Sequence, residues 1–132
     1  MTRTWLVRIA LIAGGALLLA GAELYRREAA FSAAEEGLRL QWEGEPRRAL
    51  EHLERAEVLS RYAFWDRDLH AAALYGIGVC YADLKQYDQA ERTLREAIPR
   101  LEAVLGAGNP RLAIARKRLA AVIRENQRTR DR

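Results

Sequence analysis

Leu74-Tyr75-Gly76-Ile77-Gly78-Val79-Cys80-Tyr81, with Asp88-Gln89-Ala90-Glu91-Arg92-Thr93-Leu94-Arg95-Glu96-Ala97 shortly after it, carries the pattern from which the fold follows. Bulky residues stand at 74, 77, 81 and 94, and small ones at 78, 90 and 97. Small residues let two helices touch, and large ones fill the space beside the contact, so this order of sizes describes a helix-turn-helix hairpin. Shifted back by 41 positions, the pattern lands on Gly37, Leu40, Ala49, Leu53 and Ala56. Shifted forward by 42, it lands on Leu119, Ala120 and Ile123. Recurrence at a fixed period predicts an array of stacked hairpins, in which Gly78 and Ala90 face each other across a helix pair.

The pattern resembles the tetratricopeptide repeat. Ordinary repeats of that family run about 34 residues. Here the spacing is 41 to 42, and the second helix ends in Leu105-Gly106-Ala107-Gly108-Asn109-Pro110. A leucine-glycine turn with a proline before the next helix resembles the longer repeats of the kinesin-light-chain type. The resemblance covers residues 29–126. It is closest in the second repeat and weaker in the first, where Ala33 and Glu36 stand at positions usually large and apolar; the third stops after its first helix. It implies an all-α array of tetratricopeptide-like helical hairpins, about two and a half repeats, which with the apolar N-terminal segment makes the expected fold an N-terminal transmembrane helix followed by that array.

Composition agrees. A chain of 132 residues supports one domain, and 30% charged residues with only three prolines suit helices. The single Cys80 excludes an internal disulfide and, inside a repeat helix, reads as a small core residue.

The first residues differ in kind. From Ile9 to Ala22 no side chain is polar, and Trp5, Leu6 and Val7 extend the apolar run back to position 5, broken only by Arg8. A spanning helix needs about 20 apolar residues, and a run from Trp5 to Ala22 is within the usual range. Trp5 and Tyr25 flank the run where aromatic side chains settle at membrane interfaces. Arg8 is near enough to the end to snorkel. A cleaved secretory signal is the alternative: Arg3 and Arg8 form a basic start, and Ala20-Gly21-Ala22 matches an A-x-A cleavage site. No Cys follows the run, which excludes a lipoprotein anchor. Continuity favours the uncleaved anchor, because Glu23 to Trp42 contains no proline and one helix can run from the membrane into the first repeat. Ala10 and Gly14, and Ala16 and Ala20, are each four apart, a small-xxx-small arrangement suited to helix packing in a bilayer. Either reading places the repeat domain on the exported, periplasmic side. The organisation expected is an anchor or signal with a juxtamembrane helix over residues 1–28, the repeat domain over 29–126 and a basic tail over 127–132, frayed at the end of the chain.

Punctuation marks the helices. Gly44-Glu45-Pro46 turns the first repeat, with Pro46 suited to a first helical position. Ser60 to Asp68 is the inter-repeat loop, and Asp66 or Asp68 is placed to cap the helix beginning near Leu69. Lys85-Gln86 turns the second repeat, and Asn109 before Pro110 is a cap and first turn. Pro99, inside the run Ala90 to Leu105, predicts a bend near residues 95–99.

Nothing points to catalysis. His52 and His70 are isolated and read as surface or boundary residues, and Asp66-Arg67-Asp68-Leu69-His70 fits no metal-ligand spacing. Gly76-x-Gly78 lies within a helix, not after a strand, and is no phosphate loop. Glu35-Glu36 and Glu43-x-Glu45 read as solvated helix faces. No metal, cofactor, small-molecule substrate or nucleic acid is implied.

Binding remains. The resemblance implies an inner surface built by the first helix of each repeat: Ala34, Leu38, Gln41 and Trp42, then Tyr75, Val79, Ala82 and Asp83, then Lys117, Arg118, Ala121 and Arg124. Trp42 and Tyr75 are the expected aromatic anchors for a protein partner. Residues 111–132 hold eight Arg or Lys against Glu125 and Asp131, a net of +6, whereas residues 1–110 carry a net of −2. The basic last helix is either a solubilising cap or a surface for an acidic protein or anionic headgroups. The function expected is that of a non-enzymatic, membrane-anchored repeat protein that docks onto or holds together a membrane protein complex. The alternative is a free periplasmic or secreted adaptor that binds a peptide or regulates an exported enzyme.

Overall fold

The computed structural model describes residues 2–63 and 66–132; Met1, and Phe64 and Trp65 in the inter-repeat loop, lie outside the described residues. The described chain is five α-helices: α1 (Thr2–Trp42), α2 (Pro46–Ser60), α3 (Arg67–Asp83), α4 (Tyr87–Leu105) and α5 (Pro110–Arg130). Each packs on the next in sequence, and α1 also touches α3. This nearest-neighbour stacking is the architecture of a helical array.

The period is visible in the turns. Gly44 donates its backbone N–H to the Gln41 carbonyl at 3.2 Å and Glu45 to the Leu40 carbonyl at 3.0 Å. One period later, Lys85 donates to Ala82 at 3.0 Å and Gln86 to Tyr81 at 2.9 Å. Both pairs close the end of the first helix of a repeat in the same doubly bonded way, which requires a left-handed residue. Gly44 supplies it at φ 77° without cost, but Lys85 adopts φ 60° with a full side chain.

The period is visible again in the core. A Cβ on Gly37 would lie 2.7 Å from Leu53 Cγ, and one on Gly78 would lie 2.7 Å from Leu94 Cδ2. The same contact therefore recurs one period apart. Leu94 presses closest on Gly78, and Ala90 packs in the same cluster with Leu94 and Val122. Gly76 presses on Leu53 from the next repeat, where a Cβ would be 2.9 Å from its Cδ1. Leu53 and Leu94 are both 0% exposed. In the first repeat Ala33 and Ala34 of α1 meet Ala56 of α2 and Ala73 of α3 in a layer of methyl groups. The small residue at 33 thus brings three helices together where a larger one would separate them. Cys80 is fully buried beside Leu40, Ala49, Leu53 and Ile77, and burial pushes its thiol up to about 11.

The helix ends show where local signals hold and where they are overridden. Pro46 and Pro110 occupy first-turn positions, and Asn109 Oδ1 accepts from the Arg111 N–H at 2.9 Å. Asp66 sits at the N-cap of α3, but its carboxylate does not accept from the helix amides; it is 4% exposed and pairs with Arg27 of α1, Nε to Oδ1, at 3.1 Å. The chain thus uses Asp66 to bind α1 to the second repeat. α3 begins at Arg67, slightly earlier than its pattern suggests. Pro99 leaves α4 unbroken. It lies on the exposed face, where the carbonyl it cannot bond meets water. The chain end is not frayed at Gln127: α5 continues through Arg130. Asn126 Nδ2 donates to Asp88 Oδ1 at 3.0 Å and to Glu91 Oε2 at 2.8 Å, and Arg130 pairs with Asp88. These partners hold both carboxyls below their ordinary values, Asp88 through Asn126 and Arg130, Glu91 through Asn126 and Arg95.

Two stability measurements follow from the repeated contacts. An alanine inside a helix normally gains roughly 0.5–1 kcal/mol over glycine. At Gly78 the buried Leu94 cannot yield, and overpacking costs about 1–3 kcal/mol. Gly78→Val is therefore expected to lower stability by about 1–3 kcal/mol in thermal unfolding followed by circular dichroism. Gly108→Ala, with nothing within 4 Å of its added carbon, is expected to stay within about 0.5 kcal/mol. Lys85→Gly relieves a left-handed backbone and should raise stability by roughly 0.5–1 kcal/mol in the same assay; a loss would show that the strain is absent.

Candidate functional site: the inner groove

α1, α3, the end of α4 and the start of α5 enclose a groove of about 1140 Å³. α1 supplies Leu24, Phe31 and Leu38, three large apolar residues seven apart that fall on one helical stripe. They are 67%, 63% and 42% exposed, so they face the groove without being covered. α3 contributes Leu69, Ala72 and Tyr75, spaced by three along its own inner face. Leu101, Val104 and Leu105 close one side from the last turns of α4, and Ile114 of α5 closes the other. Most of this surface is hydrocarbon. Charge is confined to Arg27, Glu28, Asp66, Asp68 and Arg111. The Arg27–Asp66 pair fixes the spacing between α1 and α3 at the groove edge. Such a surface offers apolar contact area with a charged frame, a chemistry suited to peptide recognition.

The structure sorts the residues expected on the inner face. Leu38 and Tyr75 line the groove. Val79 does not: at 6% exposed it belongs to the core, because its helix is covered on both sides where Leu38 of the first repeat is not. Ala34 is buried likewise. Trp42 is 91% exposed and lies outside the groove, as the final residue of α1 beyond the last residue packed on α2. Its equivalent one period on, Asp83, is also a helix end. Trp42 and Tyr75 therefore do not line one groove together. Lys117, Arg118 and Arg124 do not line the groove, whose share of α5 is Arg111, Ile114 and Ala115. Arg124 lies about 20 Å further along α5 than Arg111. Transfer of the family's inner-face positions misses Leu24, Phe31 and Ile114; the seven-residue spacing of Leu24, Phe31 and Leu38 is the signal that finds the first two.

His70 is not at the surface either. It is 6% exposed, with Nδ1 3.7 Å from Glu57 Oε1. Glu57 is also buried and takes Arg61 in two hydrogen bonds, 2.7 and 2.9 Å.

The groove opens beside the apolar part of α1. α1 is continuous from Thr2 through the repeat, and none of its most apolar window is buried. It is long and apolar enough to cross a membrane. Ala10, Gly14, Ala16 and Ala20 are all exposed, and nothing lies within 4 Å of a Cβ placed on Gly14. On a regular helix the pair Ala10–Gly14 and the pair Ala16–Ala20 are about 120° apart, so they form two patches and not one stripe.

No curated protein and no solved structure matches the chain. The family model described as tetratricopeptide repeat matches residues 69–131, from the first turn of α3 to the residue after α5. Repeats of this family mediate protein–protein contacts. The recurrence of the Gly78–Leu94 contact at Gly37–Leu53, and of the Lys85 turn at Gly44, extends the same geometry to α1 and α2. Residues 69–131 are thus similar to the tetratricopeptide repeat, and they stack on a preceding hairpin of the same build.

Proposed function

We propose that this chain is a membrane-anchored tetratricopeptide-repeat subunit, which binds an apolar segment of a partner in the groove between α1, α3 and α5 and so docks onto a membrane protein complex. The observation that carries the reading is the position of the groove. Its first lining residue, Leu24, is two residues past the end of the uninterrupted apolar run at Ala22, about 3 Å along the helix axis. A segment leaving the bilayer beside α1 would enter the groove directly. The run from Trp5 to Ala22 is about 27 Å long as a helix, close to the thickness of a hydrocarbon core. The domain organisation proposed is the anchor and juxtamembrane helix over 1–28, the array over 29–126 and the basic end over 127–132, with the array on the periplasmic side. The chemistry of the groove gives no support to an enzymatic role. The alternative is a free adaptor, released at Ala22, that keeps the same groove.

Two measurements test this. The chain should remain with the membrane after a carbonate wash and retain its N-terminal residues by mass spectrometry; recovery of a soluble form beginning at Glu23 would replace the anchor with a signal. A photo-crosslinking residue at Phe31 or Ile114 should capture the same membrane partner, whereas one at Val58, exposed on α2 and outside the groove, should not. Tyr75→Ala should weaken that capture by about tenfold or more while circular dichroism stays helical, since loss of a groove aromatic commonly costs about 2 kcal/mol of binding.

A further inference from the structure

The chain folds so that one end of the array lies against the membrane end of α1. Arg26 Nη1 donates to the Leu59 carbonyl, and Arg27 pairs with Asp66, so the end of α2 and the start of α3 stand level with residues 26 and 27 of α1. Those residues are about 6–8 Å beyond Ala22 along the axis. The headgroup layer of a bilayer is about 5–7 Å deep on each side of the hydrocarbon. Arg61 and Tyr62 follow Leu59 in the α2–α3 connection, so on the membrane-anchored reading they stand close to that layer.

A second cavity opens at this level, next to the groove across Val104. It measures about 430 Å³ and lies between the α2–α3 connection and the last turns of α4. Arg61, Arg67 and Arg100 line it, with Tyr62 at its edge, and among the described residues no carboxylate does. His70 also lines it; it is 6% exposed, and its Nδ1 has no hydrogen-bond partner among the described residues. Arg61 is held by Glu57, and Arg100 by Glu96 at 3.0 Å. Each guanidinium has five donors, so pairing with one carboxylate leaves others for a ligand. Arg67 has no carboxylate partner among the described residues. Tyr62 is 88% exposed, an amphipathic ring of the kind that settles at an interface.

We propose that this cleft binds the phosphate of an anionic lipid headgroup, giving the array a second attachment to the bilayer beside the helix itself. The inference rests on the membrane-anchored reading. Three guanidinium groups around one cavity match the oxygens of a phosphate, and the ends of α2 and α3 that carry Arg61 and Arg67 stand level with residues 26 and 27 of α1. With α1 as one attachment and the cleft as another, the array cannot turn freely about its anchor.

The test uses the full chain purified in dodecyl maltoside, with dioleoylphosphatidylglycerol, dioleoylphosphatidylcholine or inorganic phosphate added in separate arms. Phosphatidylglycerol at about tenfold its dissociation constant should raise the melting temperature by roughly 5 °C, and phosphatidylcholine should not. The shift should shrink in high salt and be lost in Arg67→Gln/Arg100→Gln, but survive in Lys117→Gln/Arg118→Gln, which alters the basic surface of α5. Equal shifts from the two lipids would overturn the cleft and leave the anchor standing. An equal shift from inorganic phosphate would make it a site for a free anion and overturn its assignment to lipid. A chain that is soluble without detergent and begins at Glu23 would remove the anchor reading itself. Should the double variant not fold, the comparison of the two lipids on the unaltered chain decides alone.

Discussion

Leu53 is held between two glycines, Gly37 of its own hairpin and Gly76 of the next, and the array depends on that clamp. A side chain on either glycine would meet Leu53 at under 3 Å. The backbones of α1 and α3 therefore approach α2 as closely as helices can, and the leucine fills the remaining space from the centre. Interiors packed this densely tolerate neither a void nor an extra methyl without cost. Leu94 against Gly78 repeats the contact one period later. The hairpins stack at a set distance because the clamp sets it, and that distance in turn determines the width of the inner groove.

The clamps and the turns are legible in the sequence because they are local or periodic. Gly37, Leu53, Gly78 and Leu94 stand out by size and spacing, and Gly44 and Lys85 by position between helices. What the pattern does not show is that Leu94 presses closest on Gly78: that depends on the crossing of α3 and α4, which spacing along one helix does not specify. Contacts between distant residues are equally out of reach. Asp66 has the form of a cap, and only the arrival of Arg27 from the first helix shows why it turns away. The polar end from Gln127 reads as loose, and only the contacts of Arg130 with Asp88 and of the adjacent Asn126 with Asp88 and Glu91 show what holds it.

The groove is partly legible. Leu38 and Tyr75 follow from the resemblance, but the same positional transfer selects Val79 and Trp42, one buried and one at an unpaired helix end. Transfer by position assumes that every repeat is flanked alike. In this chain the first repeat has no hairpin before it among the described residues, and its α1 is extended by an apolar segment. That leaves Leu38 uncovered where its equivalent in the second repeat, Val79, is buried.

The unbroken path of α1 has a mechanical consequence. A stiff helix transmits orientation, so the azimuth of the groove is geared to rotation of the N-terminal segment with no slack between them. From Ala22 to Trp42 the lever is about 30 Å long, and a span tilting by about 20° would carry its far end sideways by roughly 10 Å. Membrane thickness and neighbouring helices, by setting that tilt, would then choose the height and direction at which the array meets its partner.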